Sequence, residues 1–366
     1  MKFIFWQNIV SMHQSSFLRN LGENHQVDLI VSDQLDDSRR KQGWSIPNLG
    51  KVNISIISNE IDLRTIIDSE CIHIFSGISA FPFVYSAFKK SIKKGVTIGV
   101  MLEPFDDIGI LGLIRKFKYT LLRIRYASSI DFILTTGEKG RICYEAIGFK
   151  KETIFDWGYF VENNIVLDKN YLKQKVRFKA NILFVGEINK NKNILSLIDK
   201  CIEILTEEDQ LCIVGSGPLS VQLSNKIDNC STIRYLGNIP NEKVIQLMQS
   251  YDLLVLPSIY DGWGAVINEA LQAGMQVIAS ENCGASILLD GCHRGEVFSF
   301  SGKNDFDQVL AKWLKKEPLT KEKRIEIAKW SANHISGEVA ASYFESVIRF
   351  TLGNEVTRPI APWLKK

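Results

Sequence analysis

Asp261 and Glu269 are carboxylates set around a glycine-rich turn that opens a helix, and no other stretch of this sequence is better suited to a charged, hydroxylated ligand. They lie in LLVLPSIYDGWGAVINEALQAGMQVIAS, Leu253 to Ser280. The apolar run Leu253–Leu256 is stopped by Pro257 and Ser258. The loop Tyr260-Asp261-Gly262-Trp263-Gly264 then leads into a predicted helix, Ala265–Ala273, with Gly274 as its stop. A second apolar run, Val277–Ala279, completes a strand–loop–helix–strand unit. Gly262 and Gly264 let backbone N–H groups approach a ligand, and the helix start adds orphan donors and a positive dipole end, which together suit an anion. Helical side chains lean toward the N-terminus, so Glu269, just over one turn in, can reach the same ligand. A molecule bearing both phosphate and sugar hydroxyls fits an acid pair around such a turn. A capped helix in any parallel α/β protein would share much of this pattern.

The elements that must position these residues follow an alternating pattern. In the first half, predicted strands Lys2–Val10, Val27–Val31, Val52–Ile57, Ile72–Phe75, Val96–Leu102 and Phe132–Leu134 are interleaved with helices Phe17–Leu21, Phe83–Lys93, Leu111–Tyr126 and Lys139–Ile147. The pattern lapses into polar residues between Gly158 and Lys179 and then restarts. Strands Ile182–Val185, Leu211–Val214 and Ile233–Leu236 alternate with helices Ile194–Leu205, Leu219–Ile227 and Asn241–Met248, and the stretch above comes next. Helices Asp305–Leu314, Lys321–Asn333 and Gly337–Leu352 close the chain. Strands apolar on both sides and alternating with helices predict parallel sheets covered on both faces. The fold class is therefore α/β, two Rossmann-like domains facing a cleft, with ligands beyond the carboxyl ends of the strands.

Val214-Gly215-Ser216-Gly217-Pro218 follows a strand and opens a helix, as a dinucleotide fingerprint does. Its third glycine is Ser220 and no acid ends the next strand, Tyr235 to Gly237, so that fingerprint fails. Asp305-Phe306-Asp307 imitates a metal-binding Asp-x-Asp, yet Asn304 or Asp305 is a good helix cap there. The histidines show no HExxH spacing, and no phosphate-binding Walker loop exists. Leu111–Tyr126 carries Arg115, Lys116, Lys118, Arg123 and Arg125, and no acid, among large apolar residues. A basic amphipathic helix suits an anionic membrane surface, extended by Lys89, Lys90, Lys93 and Lys94; a solvated face over a core helix reads the same way. No interleaved aromatic platform or nucleic-acid motif accompanies the charge, so no nucleic acid is expected.

Asp261-Gly262-Trp263-Gly264 followed by Asn268-Glu269-Ala270 resembles the donor-site signature of the retaining family 4 glycosyltransferases, in which the first acid is usually Glu. The resemblance is strong over residues 180–285 and loose over residues 1–160. It implies the two-domain GT-B architecture, with an acceptor-binding domain at 1–160, a linker at 161–179, a nucleotide-sugar domain at 180–336 and a C-terminal helix, 337–366, packing back on the first domain. After the strand ending at Gly186 that family has Arg and, five residues on, Lys, both gripping the donor diphosphate. Lys192 matches the Lys, Glu187 stands in place of the Arg, and Lys190 is a substitute cation. Lys192 could equally be a solvated helix cap. Gly215 and Gly217 match the family's Gly-x-Gly-Pro turn, and Gly237-Asn238-Ile239-Pro240 resembles its base-binding loop, so Asn238 and Ile239 join the donor set with Trp263 and Ala265. Both loops could be plain turns. His13 and Gln14, read as a loop after strand one, resemble the acceptor-facing loop; Glu103 ends a strand where relatives place a His-Asp pair near the reacting sugar. A solvated histidine and a salt-bridged rim acid are the bland alternatives. Trp157-Gly158-Tyr159 reads as hinge and cleft packing.

Composition sets the outer bounds. The 366 residues suffice for two domains with substantial cores, and 45% hydrophobic with 23% charged residues describes an ordinary globular protein. A net charge of +3 gives no global reason to bind nucleic acid. The 7 cysteines are odd in number and form no C-x-x-C, as expected of reduced cytosolic thiols. MKFIFWQNIV reads as a first strand and not a signal peptide, and no run of about 18 apolar residues spans a membrane. The expectation is a hexosyltransferase moving a sugar, with retention, from a nucleotide-diphosphate sugar, UDP first, to a glycan or lipid-linked glycan. It needs no metal or other cofactor and works in the cytoplasm, at the inner face of the membrane. The resemblance suggests a bacterial surface polysaccharide such as O-antigen or capsule. The rivals are a nucleotide-sugar epimerase of the same architecture and a non-catalytic sugar-nucleotide-binding subunit.

Overall fold

The computed structural model of the protein describes residues 1–34, 46–57, 63–106, 109–161, 179–289, 293–300 and 305–365. They form two compact units. Unit 1 contains the described residues up to 161 together with 335–365, and unit 2 contains the described residues from 179 to 334. The expected linker, 161–179, falls almost entirely outside the described residues.

Unit 1 runs β1 (Lys2–Gln7), α1 (Met12–Asn24), β2 (Gln26–Val31), β3 (Asn53–Ile56), α2 (Leu63–Ile66), β4 (Ile72–Ser76), α3 (Pro82–Lys94), β5 (Ile98–Leu102), α4 (Gly109–Tyr126), β6 (Phe132–Thr136), α5 (Gly137–Ala146) and β7 (Ile154–Trp157). Its sheet is parallel throughout, in the order β3-β2-β1-β4-β5-β6-β7. Apolar side chains fill both faces, as in Phe3, Phe5 and Trp6 of β1, which are all buried. β7 was not expected from the sequence. It is four residues long and lies at the sheet edge, yet Ile154, Phe155 and Trp157 are buried.

Unit 2 runs β8 (Asn181–Val185), α6 (Ile194–Ile204), β9 (Gln210–Val214), α7 (Ser220–Ile227), β10 (Ile233–Tyr235), α8 (Asn241–Ser250), β11 (Leu253–Leu256), α9 (Ala265–Gln272), β12 (Gln276–Ser280), β13 (Gly295–Phe298), α10 (Phe306–Leu314) and α11 (Lys321–His334). Its parallel sheet has the order β10-β9-β8-β11-β12-β13. The chain thus winds outward in one direction from β8 and in the other from β11. Their following loops part and leave a crevice at the carboxyl ends. Arg324 of α11 is buried behind the sheet, paired with Asp252 at 3.0 Å and donating to the carbonyls of Ala273 and Tyr251. Asp305 caps α10 by accepting from the Gln308 N–H, and Asp307 pairs with Lys200, so the Asp-x-Asp pattern is used for capping and charge pairing.

The helix α12 (Gly337–Thr351) belongs to unit 1 and lies on α1. A Cβ at Gly337 would stand 2.2 Å from Ser16 Oγ, so glycine permits the close approach of the two helices. Phe344 of α12 meets the rings of Phe3, Phe5, Phe17 and Trp157.

One placement differs from the sequence reading. His13 and Gln14 are not in a loop but in the first turn of α1. Ser11 has extended backbone angles and its hydroxyl accepts from the His13 N–H at 3.3 Å, which starts the helix one turn earlier than the apolar pattern implies. The polar residues that made this segment look like a loop are satisfied inside: Gln14 accepts from Gln7 at 2.8 Å and Ser15 donates to the Met12 carbonyl.

Candidate active site

The crevice of unit 2 is built from the loops after β8 and β11, which are sewn together by backbone. Ile259 N–H donates to Asn191 O, and the Asn191 side chain donates to Tyr260 O, each at 2.7 Å. Ile188 is fully buried and anchors the first loop, while the Asn189 side chain accepts from the Lys192 N–H at 2.9 Å and turns the chain. Asn193, in the left-handed region at φ 53°, starts α6. Lys192 is thereby aimed across the crevice, and its Nζ donates to the Asp261 carboxylate. It is not a solvated cap. Lys190 and Glu187, on the same loop, are exposed.

The Asp261–Gly264 turn is held from behind. Asp261 N–H donates to Asn282 O, Gly284 N–H to Asp261 O, and Ala285 N–H to Trp263 O at 2.7 Å. A Cβ at Gly284 would fall 2.3 Å from Gly262 O, so this crossing requires glycine. Trp263 is buried and its Nε1 donates to Asn268 Oδ1 at 2.8 Å, so its indole braces the turn from within and offers the ligand only its backbone. Gly264 stands at φ 88° as the N-cap of α9. Ala265 therefore heads the first turn of α9, whose leading N–H groups face the carboxyl ends of the strands, with Ile267 N–H already closed onto Gly264 O at 2.9 Å. Cys283 lies beside this turn, but burial, with Asp261 nearby, pushes its thiol up to about 11, which keeps it a poor nucleophile.

The glycines after β9 serve a crossing. Gly215 N–H donates to Gly237 O and Gly217 N–H to Ser220 Oγ, both at 2.9 Å. A Cβ at Gly215 would lie 1.9 Å from Gly186 O, and one at Gly217 2.5 Å from Ile188 O. Gly215 and Gly217 thus let three strand-end loops pack at backbone contact, with Gly186 N–H bonded to Val214 O. Tyr235 ties the same turn by donating to Gly215 O. Asn238 and Ile239 occupy the loop between β10 and α8. Glu269 of α9 reaches Asn241 at the start of α8, just past that loop, and the Asn241 side chain hydrogen-bonds its carboxylate. Burial outweighs this bond and pushes the Glu269 carboxyl up to about 7. The two acids therefore have separate tasks: Asp261 faces a lysine, and Glu269 faces the Asn238–Ile239 loop.

In unit 1, His13 and Glu103 come together through a residue that the sequence reading set aside as packing. The Tyr159 ring stacks on His13, with centroids 4.8 Å apart and planes at 6°, and its hydroxyl donates to Glu103 Oε1. Helix α4 presents one apolar stripe outward, while Tyr119, Leu122 and Tyr126 pack against the core. Ile110, Ile114, Phe117, Leu121 and Ile124 recur at helical spacing and are 50–78% exposed. Only Gly112 and Tyr126 of this helix are buried. Lys116, Lys118 and Arg125 are exposed, whereas Arg115 pairs with Asp106 at 3.0 Å and Arg123 donates to Gly148 O. No helix among the described residues is long and apolar enough to cross a membrane.

Two Rossmann-like units, the second with a lysine, two carboxylates and a glycine-opened helix around its switch point, have the fold of the GT-B glycosyltransferases. Residues 169–330 match the family described as glycosyl transferases group 1. The uncharacterized glycosyltransferase MJ1178 of Methanocaldococcus jannaschii is 25% identical over 266 residues, covering 68% of this chain and 74% of that protein. O-antigen chain mannosyltransferase B of Escherichia coli is 28% identical over 147 residues, 38% of this chain and 37% of the relative. Among solved structures, Anabaena Alr3699/HepE in complex with UDP superposes with a TM-score of 0.70 at 15% identity, over 97% of this chain and 100% of that one.

Proposed function

We propose that the protein is a retaining, family 4-type hexosyltransferase that uses a UDP-sugar and needs no metal. Its acceptor is a glycan or lipid-linked glycan of a surface polysaccharide, bound by unit 1, and it works at the cytoplasmic face of the membrane. The observation that carries the reading is the Lys192–Asp261 pair across the switch point of unit 2, with Glu269 beside the Asn238–Ile239 loop. A diphosphate seated at the Gly262–Gly264 turn meets the first N–H groups of α9 and the Lys192 ammonium. Breaking the anomeric bond leaves negative charge on that diphosphate, and these fixed donors stabilise it without a metal. Asp261 then accepts from a hydroxyl of the transferred sugar and Glu269 from the ribose hydroxyls. No activated covalent nucleophile is positioned among these residues, in keeping with attack from the leaving-group face, where the departing phosphate takes the acceptor proton.

The binding of HepE to UDP and the O-antigen role of the Escherichia coli relative support the choice of donor and pathway. Helix α4 supports the location: an outward apolar stripe flanked by Lys116, Lys118 and Arg125 suits an anionic lipid surface. A thermal-shift screen over UDP, GDP, TDP and their sugars tests the reading. UDP and one UDP-sugar should raise the melting temperature, and product NMR with an acceptor should show the donor's anomeric configuration kept. An epimerised sugar from donor alone, or no nucleotide binding at all, would sink it.

A further inference from the structure

The geometry points to Asn191 as a positioning residue of unit 2, a clamp that fixes how the Lys192 ammonium stands against the Asp261 carboxylate before a donor arrives. This rests on the transferase reading of that pair and adds the residue that sets its separation.

The two charged residues lie on opposite sides of the switch point, where the ladder has already ended. β8 and β11 pair at Ile182 with Leu253 and at Leu183 with Leu254, so the loops that follow have parted. Each loop is braced toward its own outer neighbour. After β8, Ile188 N–H donates to Ser216 O and Leu219 N–H to Ile188 O, which ties that loop to the one after β9. After β11, Ser280 Oγ donates to Ser258 O and Asp261 N–H to Asn282 O, which ties this loop to the one after β12. Asn191 joins the two halves. Its carbonyl accepts from Ile259 N–H and its carboxamide donates to Tyr260 O, both at 2.7 Å. Asn191 directly precedes Lys192, and its partners are the two residues before Asp261.

Asn191 and Ile259 are both exposed, so these bonds are not a by-product of core packing. What they fix is a narrow span. Lys192 Cδ passes 3.9 Å from where a Gly186 Cβ would stand, and Asp261 Oδ2 lies 3.5 Å from where a Gly264 Cβ would stand. Gly264 is the N-cap of α9, so the ammonium bonded to Asp261 is held at the mouth of that helix. A lysine stem is long and flexible, and its charge keeps one place only if its backbone does. Asparagine suits the clamp because its carboxamide is a short, neutral donor. An aspartate would set a carboxylate against the Tyr260 carbonyl, two acceptors with no proton between them. A displacement of about 1 Å at such a site can cost about 100-fold in rate.

The test measures steady-state kinetics with a UDP-sugar, UDP binding by calorimetry and melting temperature. Asn191→Ala should lower kcat about tenfold, with KM and UDP affinity nearly unchanged. Asn191→Asp, of the same size, should lose at least as much. The double variant Asn191→Ala with Lys192→Ala should turn over as Lys192→Ala does, because Asn191 acts through the lysine. A merely structural bond would add its full loss to that of Lys192→Ala. A second cycle, on the free protein, needs no donor. The melting-temperature effects of Lys192→Ala and Asp261→Ala should be non-additive in the wild type and additive in Asn191→Ala. The proposal is overturned if either Asn191 variant keeps kcat within about twofold, if the loss adds fully in the double variant, or if the pair stays coupled in Asn191→Ala. No turnover by the wild type, with coupling lost in Asn191→Ala, would count against the transferase reading and leave the clamp standing.

Discussion

The Lys192 ammonium, on the loop after β8, donates to the Asp261 carboxylate on the loop after β11. Both side chains are mostly buried, at 21% and 15% exposure, so neither charge is freely solvated. On the proposed function, an arriving diphosphate would give Lys192 a second anionic partner and leave Asp261 for a sugar hydroxyl. Lys192→Ala is expected to lower kcat about 100- to 1,000-fold, the scale for removing one preorganised donor from developing charge. UDP affinity should fall by less than about tenfold, since the backbone N–H donors remain. Steady-state kinetics and calorimetry on one preparation check the split.

On the proposed function, Glu269 should make UDP binding depend on pH. Its carboxyl titrates at about 7 in the folded protein against an ordinary value of 4.5. If the ribose hydroxyls donate to the ionised form, UDP affinity rises with pH through about 7 and levels off above it. Glu269→Gln should flatten the profile and weaken binding at high pH. The stability of the free protein should move the other way. The folded chain holds the extra proton between pH 4.5 and about 7, so stability falls as pH rises across that window. Glu269→Gln should remove that part of the slope in denaturant titrations.

Gly215 and Gly186 touch each other but should tolerate change differently. Gly215 stands at φ 134°, and an added Cβ would lie 1.9 Å from Gly186 O. Gly215→Ala should therefore cost more than about 2 kcal/mol, with a melting temperature lower by several degrees and UDP binding lost. At Gly186 a Cβ would meet the Phe184 ring at 3.4 Å and Lys192 Cδ at 3.9 Å, both ordinary contacts. Gly186→Ala should melt within about a degree or two of the wild type. Paired scanning calorimetry decides.

Helix α4 predicts lipid binding with two components. Flotation with phosphatidylcholine vesicles containing phosphatidylglycerol should carry the wild type upward. Phe117→Glu with Ile124→Glu, at positions 66% and 67% exposed, should abolish flotation without shifting the melting temperature, because neither side chain is in the core. Lys116→Glu with Lys118→Glu should weaken it most at low salt, where exposed charges are least screened. Equal flotation of all three proteins would refute lipid contact through this helix.

Much of this was legible in the chain itself. Continuous apolar runs such as Leu253–Leu256 announced buried parallel strands, and the Asp261–Gly264 turn announced a ligand loop. The less regular pieces were not. β7 and β13 are four-residue strands too short to display a period, and β13 is admitted by Gly295, whose Cβ would strike Val277 O. The start of α1 was hidden because Ser11, His13 and Gln14 read as loop residues until Gln7 is seen to pair with Gln14.

Side-chain roles divide the same way. The types of Lys192, Asp261 and Glu269 and their placement after strands follow from sequence order, since hydrophobic period and turn chemistry are local properties. Which acid meets the lysine, that Trp263 braces from within, and that Tyr159 joins His13 to Glu103 were decided by tertiary structure. The long-range contacts among them join segments separated by up to 146 positions, such as His13 and Tyr159, and only the strand order brings these together. The outward turn of the α4 stripe was decided there too. A helical period states that one face is apolar, and only the packing of the rest of the unit states whether that face is covered.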